Sequence, residues 1–298
     1  MDYDQGWYCL AFEEEVPEGL SRHDLGDTRL MLLRDGAKIT AYPADCPHRG
    51  AHLACGGRLE PGAVVCPYHG YRIRLDAEGP LSLAPLQTLV SGGAVYVRLG
   101  QAADNGWPAT LERLGESFNI SPGITMHLSA SMEEVTENGF DQMHFNSVHR
   151  LSVTPFEVRK AASGALHVTS VFQSHGRGGV TNLTDYHATL VSPGLIVVEL
   201  GGDSPYGVIT ATVPAGRHRS TARLSFLLPR ALDRAAYGRR HDALKLYAHQ
   251  GLSDDDAVWQ HVNRDRSPMW TVHDAPIHTF YAFCNTFRRQ GRVASATA

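Results

Sequence analysis

Long apolar runs are missing from this 298-residue sequence. No stretch approaches the roughly 20 apolar residues that a membrane-spanning helix needs. The first ten residues, MDYDQGWYCL, have neither the basic start nor the apolar core of a secretory signal. These absences predict a cytoplasmic chain without a membrane span.

An excess of positive charge is also missing. Lysine and arginine total 27 against 31 aspartates and glutamates, which gives a formal net charge of −4 at pH 7. Proteins that hold nucleic acid by its phosphates present a basic patch, and no block of lysine and arginine supplies one here. We therefore expect no nucleic-acid partner.

Cysteine is scarce and does not form a disulfide framework. The chain has five cysteines, an odd number at irregular spacing. It also lacks the CxxC pairs that usually hold structural zinc. We expect Cys9, Cys55 and Cys284 to be free thiols, which leaves Cys46 and Cys66 to be explained.

Those two cysteines belong to the segment DCPHRGAHLACGGRLEPGAVVCPYHGYR, residues 45–72, as Cys46-x-His48 and Cys66-x-x-His69. One tetrahedral zinc ion could take all four side chains. A [2Fe-2S] cluster with two thiolates on one iron and two imidazoles on the other takes one ligand of each kind from each loop. His52 lies outside this spacing and is expected at the surface or behind the ligands.

The rest of the chain divides into two parts with different patterns. Residues 7–100 contain short alternating runs with Gly, Asp and Pro between them, which predicts a small all-β domain; RDGAK is typical of a hairpin. The polar stretch at 100–110 places the boundary at 104/105, giving domains 1–104 and 105–298. Later runs predict an antiparallel meander, with helices near 235–263 and 276–289.

A second candidate metal site lies in EEVTENGFDQMHFNSVHR, residues 133–150. Ser131 and Glu134 form a capping-box pattern, and a helix would place Glu137, Asp141 and His144 on one face. His149 can reach the same metal as His144 only if the helix ends between them.

A third ligand is available in GLSDDDAVWQHVNRD, residues 251–265, which reads as a helix start. One carboxylate of Asp254, Asp255 or Asp256 would complete a 2-His-1-carboxylate site of the non-haem Fe(II) type. Plain helix capping is the alternative explanation for these aspartates.

Together these motifs resemble those of Rieske non-haem iron oxygenases, terminal oxygenase component. The loops resemble the Rieske cluster motif, with Tyr71 where many relatives carry Trp, and residues 137–149 resemble E-N-x-x-D-x-x-H-x-x-x-x-H. GAHLACGG and DAPIHTFYAFCNTF resemble the branch of ketosteroid hydroxylases and sterol desaturases. Nearly the whole chain is covered.

The resemblance implies an α+β protein, with an all-β Rieske domain followed by a helix-grip domain in which an antiparallel sheet surrounds a helix. It implies a Rieske [2Fe-2S] cluster on Cys46, His48, Cys66 and His69, and a mononuclear Fe(II) on His144, His149 and Asp255. Register with Val258 and Trp259 selects Asp255. Phe140, Phe145 and Val148 could line an apolar pocket or belong to the core.

The resemblance also implies partners and a reaction. Asp141 would bridge His69 or His48 of one subunit to His144 of another in a homotrimer. A separate NAD(P)H-dependent reductase, possibly acting through a ferredoxin, would supply electrons, because the chain has no flavin or nicotinamide motif. The reaction would be O2-dependent hydroxylation, oxidative demethylation or desaturation of a small organic substrate. The alternative is a Rieske electron-transfer protein with a non-catalytic binding domain.

Overall fold

The structure is a computed structural model, and it describes residues 5–76, 78–100, 104–175 and 181–288. Small β-sheets fill the first third of the chain, and one large sheet with helices fills the remainder, which confirms the α+β class. Residues 101–103 of the predicted linker lie outside the described residues, as does all but the first residue of the 288–298 tail.

In the N-terminal part, the residues that the structure describes form ten short strands. They are β1 (Gly6–Phe12), β2 (Gly19–Arg22), β3 (Leu30–Asp35), β4 (Lys38–Pro43), β5 (Arg58–Glu60), β6 (Ala63–Val65), β7 (Arg72–Leu75), β8 (Ser82–Leu83), β9 (Gln87–Ser91) and β10 (Ala94–Leu99). They form sheets of order β1-β10-β9, β2-β3-β4 and β5-β6-β7-β8. The RDGAK hairpin is confirmed: β3 and β4 pair antiparallel, and Gly36 between them has φ +58°.

The C-terminal part is built on one seven-stranded antiparallel sheet of order β11-β17-β16-β15-β14-β13-β12. Its strands are β11 (Phe118–Leu128), β12 (Ser152–Lys160), β13 (Leu166–His175), β14 (Thr181–Ser192), β15 (Leu195–Leu200), β16 (Tyr206–Gly216) and β17 (Arg219–Pro229). From β12 to β17 each strand lies beside the next in sequence, so the predicted meander is confirmed.

The described residues also form five α-helices: α1 (Trp107–Ser117), α2 (Met132–Glu137), α3 (Gln142–Ser147), α4 (Arg234–Trp259) and α5 (Ala275–Asn285). The capping box is confirmed, because Ser131 Oγ accepts from Glu134 N–H while the Glu134 carboxylate accepts from Ser131 N–H. Within the ranges the structure describes, no helix is long and apolar enough to cross a membrane.

The single helix predicted through Glu137, Asp141 and His144 is wrong. α2 ends at Glu137, residues 138–140 form a 3-10 turn, and Asp141 has extended backbone angles (φ −105°, ψ 96°) before α3 begins. The cause is the Asp141 side chain, which accepts hydrogen bonds from the N–H groups of Met143 and His144 and so starts a new helix. Glu137 and Asp141 therefore do not share a helix face.

The aspartates 254–256 do not begin a helix, contrary to the prediction; they lie in the last turns of α4. Asp233 is the true N-cap, since its carboxylate accepts from Ala236 N–H. The helix continues through Gly251 and Ser253 because its apolar side keeps packing against the sheet, through Leu252 and Trp259 among others. Tertiary packing thus overrides a local sequence that resembles a cap.

One apolar cluster joins the two parts of the chain. Trp7 and Tyr96 of the N-terminal sheets pack with Trp107 of α1 and with Val197 of the large sheet, and all four side chains are buried. Ser192 Oγ also donates a hydrogen bond to the Trp7 carbonyl at 2.5 Å. The two parts are therefore packed directly against each other.

Candidate metal centres

The predicted cluster ligands lie in two loops with the same backbone frame: loop 1, residues 46–53, and loop 2, residues 66–71. In each, the cysteine N–H donates to a carbonyl five residues ahead, and a glycine four residues ahead donates back to the cysteine carbonyl: Cys46–Ala51 and Gly50–Cys46 in loop 1, Cys66–Tyr71 and Gly70–Cys66 in loop 2. Both glycines have left-handed φ, +69° and +70°. The two loops therefore present their cysteines in the same way.

The four side chains of these loops form two layers. The Cys46 and Cys66 thiols are buried, each residue being 2% exposed, and neither is in a disulfide. His48 and His69 are exposed, with ring centroids 4.7 Å apart. Two thiols inside and two imidazoles outside suit a cluster whose two irons have different ligands.

The local electrostatics favour the ligating form at Cys66 and at His69, whereas burial raises the pKa of the Cys46 thiol. Burial raises the pKa of the Cys66 thiol, but the N–H groups of Tyr68 and His69, with the Cys46 thiol, bring that pKa below its ordinary value. The thiolate is the form that binds metals. Desolvation, with the neighbouring His48 and Arg49, lowers the pKa of His69 and so favours a neutral ring.

His52 is not at the surface; it is 8% exposed and lies near the end of loop 1. Its Nδ1 accepts from Ala54 N–H at 3.2 Å, which leaves the ring proton on Nε2, 3.2 Å from Asp24 Oδ1. Asp24 also accepts from Leu30 N–H. His52 thus anchors loop 1 to the segment between β2 and β3.

The structure brings three of the predicted residues together at the second site. His144 Nε2 and His149 Nε2 are 3.0 Å apart, and Asp255 Oδ1 lies 3.3 Å from the first and 3.4 Å from the second. Within the described ranges this is the one group of three such side chains close enough to share an ion. The side chains are 12%, 23% and 8% exposed, so the site is largely shielded from solvent.

The chain reverses so that His149 returns to His144. α3 ends at Ser147, and Val148 N–H closes the helix by donating to the His144 carbonyl at 2.9 Å. Arg150 then adopts φ +57°, a left-handed conformation that turns the backbone. The predicted helix end between the two histidines is therefore present.

Of the three adjacent aspartates, only Asp255 faces the histidines. Asp254 accepts from the Gln250 amide at 2.7 Å, and Asp256 accepts from Ser129 N–H and the Gln260 amide, each at 2.6 Å. Each residue turns about 100° around the helix, so neighbours point in different directions.

These side chains fit a metal ion. Ligand atoms about 2.1 Å from one ion stand about 3.0 Å apart on an octahedral edge and about 3.4 Å apart in a tetrahedron. The three observed separations lie in that range. Asp255 Oδ1 is also buried without a hydrogen-bond partner among the described residues, and burial lowers the pKa of His149, although Asp255 opposes this. A cation would satisfy the carboxylate oxygen and accept the neutral imidazoles.

Asp141 lies beside this site as the N-cap of α3. One oxygen, Oδ1, accepts from the N–H groups of Met143 and His144 at 2.9 and 3.0 Å. Within the described part of the chain, Asp141 makes no hydrogen bond to His48 or His69. The predicted bridge is therefore not formed inside one chain.

Two family models match this chain. The family model of the Rieske [2Fe-2S] domain matches residues 6–91, and that of the 3-ketosteroid 9alpha-hydroxylase C-terminal domain matches residues 100–287. The second match alone covers more than half of the chain. The chain belongs to the Rieske oxygenase family.

Curated relatives of this Rieske oxygenase include cholesterol 7-desaturase of Bombyx mori, which is 26% identical over 165 residues, 51% of this chain and 36% of the relative. Choline monooxygenase, chloroplastic, of Spinacia oleracea is 28% identical over 131 residues, 38% of this chain and 30% of the relative. The matched part thus spans only about a third of the length of these relatives.

Two solved structures share the fold of this Rieske oxygenase. The reduced complex between oxygenase and ferredoxin in carbazole 1,9a-dioxygenase matches with a TM-score of 0.72 at 17% identity, covering 100% of this chain and 93% of the other. Dicamba monooxygenase bound to dicamba matches with a TM-score of 0.72 at 16% identity, covering 96% and 98%.

The predicted lining residues of this Rieske oxygenase have different positions. Phe140 is fully buried and packs against Phe280, so it belongs to the core. Val148 is half-buried. Phe145, also half-buried, lies between the ligand histidines and an aromatic cluster, with ring centroids 4.9 Å from Phe172 and 5.6 Å from Tyr186. Phe145 thus connects the metal site to the apolar core.

Sequence reasoning missed two residues near the site. Asn138 is part of the E-N-x-x-D motif, but the sequence assigned it no role. Its side-chain amide donates to Asp255 Oδ2 at 3.3 Å. Tyr281 donates from its hydroxyl to the Glu137 carboxylate. Tyr281 comes from α5, far along the chain, and no local pattern could connect it with Glu137.

Proposed function

We propose that this chain is the terminal oxygenase component of a Rieske system. It would use O2 and electrons supplied from outside to hydroxylate, oxidatively demethylate or desaturate a small, largely apolar organic substrate. The observation that carries the proposal is the convergence of His144, His149 and Asp255 in a chain that also holds the two-cysteine, two-histidine loops.

The two parts would divide the work at the predicted boundary. Residues 1–104 hold a [2Fe-2S] cluster on Cys46, His48, Cys66 and His69, and residues 105–298 hold Fe(II) on His144, His149 and Asp255. When bound, these groups supply one-electron transfer and O2 activation. The buried protein side chains fix the ligands and exclude water.

Electrons would enter at the exposed rim of loops 1 and 2. His48 and His69 are exposed there, and Arg49 lies 5.7 Å from the Tyr68 ring centroid. Arg49 has no acidic partner within the described ranges. An exposed cation beside the cluster favours an acidic electron carrier, so a ferredoxin, itself reduced by an NAD(P)H-dependent reductase, is the donor we propose.

Asp141 would act between two copies of the chain. Its Oδ2 accepts no hydrogen bond within the described ranges, while Oδ1 holds the start of α3. In a homotrimer, Oδ2 would receive His69 or His48 of the next copy, and Asp141 would connect that ring to His144. Each active centre would then need two chains.

The substrate would lie against the aromatic cluster. Phe145 has ring contacts with both ligand histidines, and it packs on the buried rings of Phe172 and Tyr186, which stack with centroids 4.4 Å apart. Such a wall suits a flat or fused-ring apolar compound better than a strongly polar one. Substrate position, through the C–H bond that reaches the metal, would decide between the three reactions.

The proposal is tested by anaerobic electron paramagnetic resonance of the full chain, reconstituted with iron and sulfide. One sample is reduced with dithionite to detect the cluster; a second is exposed to nitric oxide to detect high-spin Fe(II). We expect both signals, and we expect an apolar substrate to change the nitrosyl signal.

Other outcomes would replace the proposal. A cluster signal without a nitrosyl signal, in iron-replete protein, would favour an electron-transfer protein with a non-catalytic second domain. Colourless protein without either signal would favour zinc at the four-ligand loops.

A further inference from the structure

The two oxygens of the Asp255 carboxylate have different surroundings. Oδ1 is buried, lies 3.3 and 3.4 Å from the two imidazole Nε2 atoms, and has no hydrogen-bond partner among the described residues. Oδ2 accepts a hydrogen bond from the Asn138 amide at 3.3 Å. Oδ1 therefore faces the proposed metal, and Oδ2 already accepts a hydrogen bond from the protein.

Asn138 is held in place from both sides. The Glu137 carboxylate before it accepts from the Tyr281 hydroxyl. At Gly139 after it, an added Cβ would come within 2.8 Å of Ile196 Cδ1, so the backbone here packs directly on the sheet. The amide is thus presented to Asp255 from a fixed 3-10 turn.

A carboxylate can ligate an ion through one oxygen or through both. Ligation by both uses a coordination position that O2 or substrate would otherwise take. A hydrogen-bond donor on the second oxygen competes with such ligation and fixes the orientation of the carboxylate. We propose that Asn138 is a positioning residue that limits Asp255 to ligation through Oδ1 and so keeps one position of the metal open. This inference rests on the proposed function and refines it.

The test compares Asn138→Ala with Gln142→Ala in the full chain with its cluster oxidised. Gln142 is a matched control, because its amide donates to the Val153 carbonyl at 2.7 Å and to no ligand. Iron is removed from the second site, Fe(II) is titrated back, and the nitrosyl signal is recorded. For Asn138→Ala we expect a Kd for Fe(II) raised about tenfold, as for other groups that support metal ligands, and a changed splitting of the nitrosyl signal.

Gln142→Ala should match the wild type in both measurements. Asn138→Leu keeps the volume of the side chain and removes the donor, so it should repeat the effect if the alanine variant does not fold. An unchanged splitting and a Kd within twofold of wild type in a folded Asn138 variant would overturn this inference and leave the proposed function standing. A wild-type protein without any nitrosyl signal would overturn both.

Discussion

The two candidate metal sites of this protein are assembled in opposite ways. The cluster loops take all four side chains from residues 46–69, and they expose both histidines to solvent. The second site joins residues 144 and 149 to residue 255, and its side chains are at most 23% exposed. The cluster loops thus form a site from residues close in sequence that is open to solvent. The second site joins residues far apart in sequence and is closed to solvent.

The difference follows from what each site would have to do. A group that receives electrons from another protein must lie near the surface, where that protein can approach. A group that activates O2 must be shielded, because water would compete for open positions and disperse reactive species. If this interpretation is correct, changes at the two sites should be separable.

The largest expected effect is the loss of turnover in two variants, each of which should lose a different spectroscopic signal. Cys66→Ser should remove the red-brown colour and the cluster signal. His144→Ala should remove the nitrosyl signal and leave the cluster signal intact. Turnover should fall below detection in both variants. Cys55→Ser is the control, since Cys55 is an exposed free thiol outside the ligand set. Loss of the cluster signal in His144→Ala would contradict two independent sites.

Asp141→Asn probes the connection between the sites. Asparagine caps helices as well as aspartate does, so α3 should persist and both metals should bind, while the charge of the bridge is lost. We expect electron transfer between the sites to slow by about 100-fold, the upper end for residues that support metal ligands. The measurement is single-turnover oxidation of the reduced cluster with O2 and substrate. Oxidation at the wild-type rate would rule out the bridge.

Arg49→Glu tests the open site. The added negative charge should repel an acidic ferredoxin and slow cluster reduction about tenfold at low salt, with the difference shrinking as salt is raised. The rate of cluster reduction by dithionite should not show a comparable decrease that depends on salt. Arg219→Glu makes the same charge change at the exposed start of β17 and should leave the rate unaltered. Equal slowing in both variants would point to net charge rather than to docking.

Glu137 tests how well water is excluded from the turn that precedes Asn138. The expected change in stability is the smallest of these effects. Burial raises the pKa of Glu137 from 4.5 to about 7, although Tyr281 opposes this. A raised folded-state pKa means that the folded protein binds the proton more tightly, so stability is lost as pH rises from 4.5 towards 7. The loss should be about 1 kcal/mol between pH 6 and 7, or about 2–4 °C in Tm.

Glu137→Gln should remove that part of the pH dependence. The measurement is the difference in Tm between wild type and variant at pH 6 and at pH 7. A difference that does not vary with pH would show that water reaches Glu137 and that burial does not raise its pKa.

The same contrast explains what could be predicted from the sequence. The cluster loops are local, so residue spacing alone selected Cys46, His48, Cys66 and His69. Strand runs, the hairpin at Gly36 and the Ser131 cap are local too, and the structure bears them out. The family resemblance supplied Asp255, because nothing in the spacing of residues 144 and 149 points to residue 255.

The errors arose where distant packing overrides a local pattern. Asp141 reads equally well as a helix residue and as a cap, and its hydrogen bonds decide for the cap. The aspartates at 254–256 resemble a helix start, yet α4 continues past them because Leu252 and Trp259 pack on the sheet. Two contacts lie beyond any local pattern for the same reason: His52 Nε2 lies 3.2 Å from Asp24, and the Asn138 amide donates to Asp255, and neither partner is near in sequence.

The apolar cluster shared by the two parts opposes hinge motion between them. Trp7 and Tyr96 are enclosed with Trp107 and Val197, and the Trp7 carbonyl is tied to Ser192. Swinging one part relative to the other would expose these large side chains to water, at a cost of about 1.5–3 kcal/mol for each. The distance between the two centres of one chain is therefore a fixed dimension of the molecule, and the two parts should melt in a single cooperative transition.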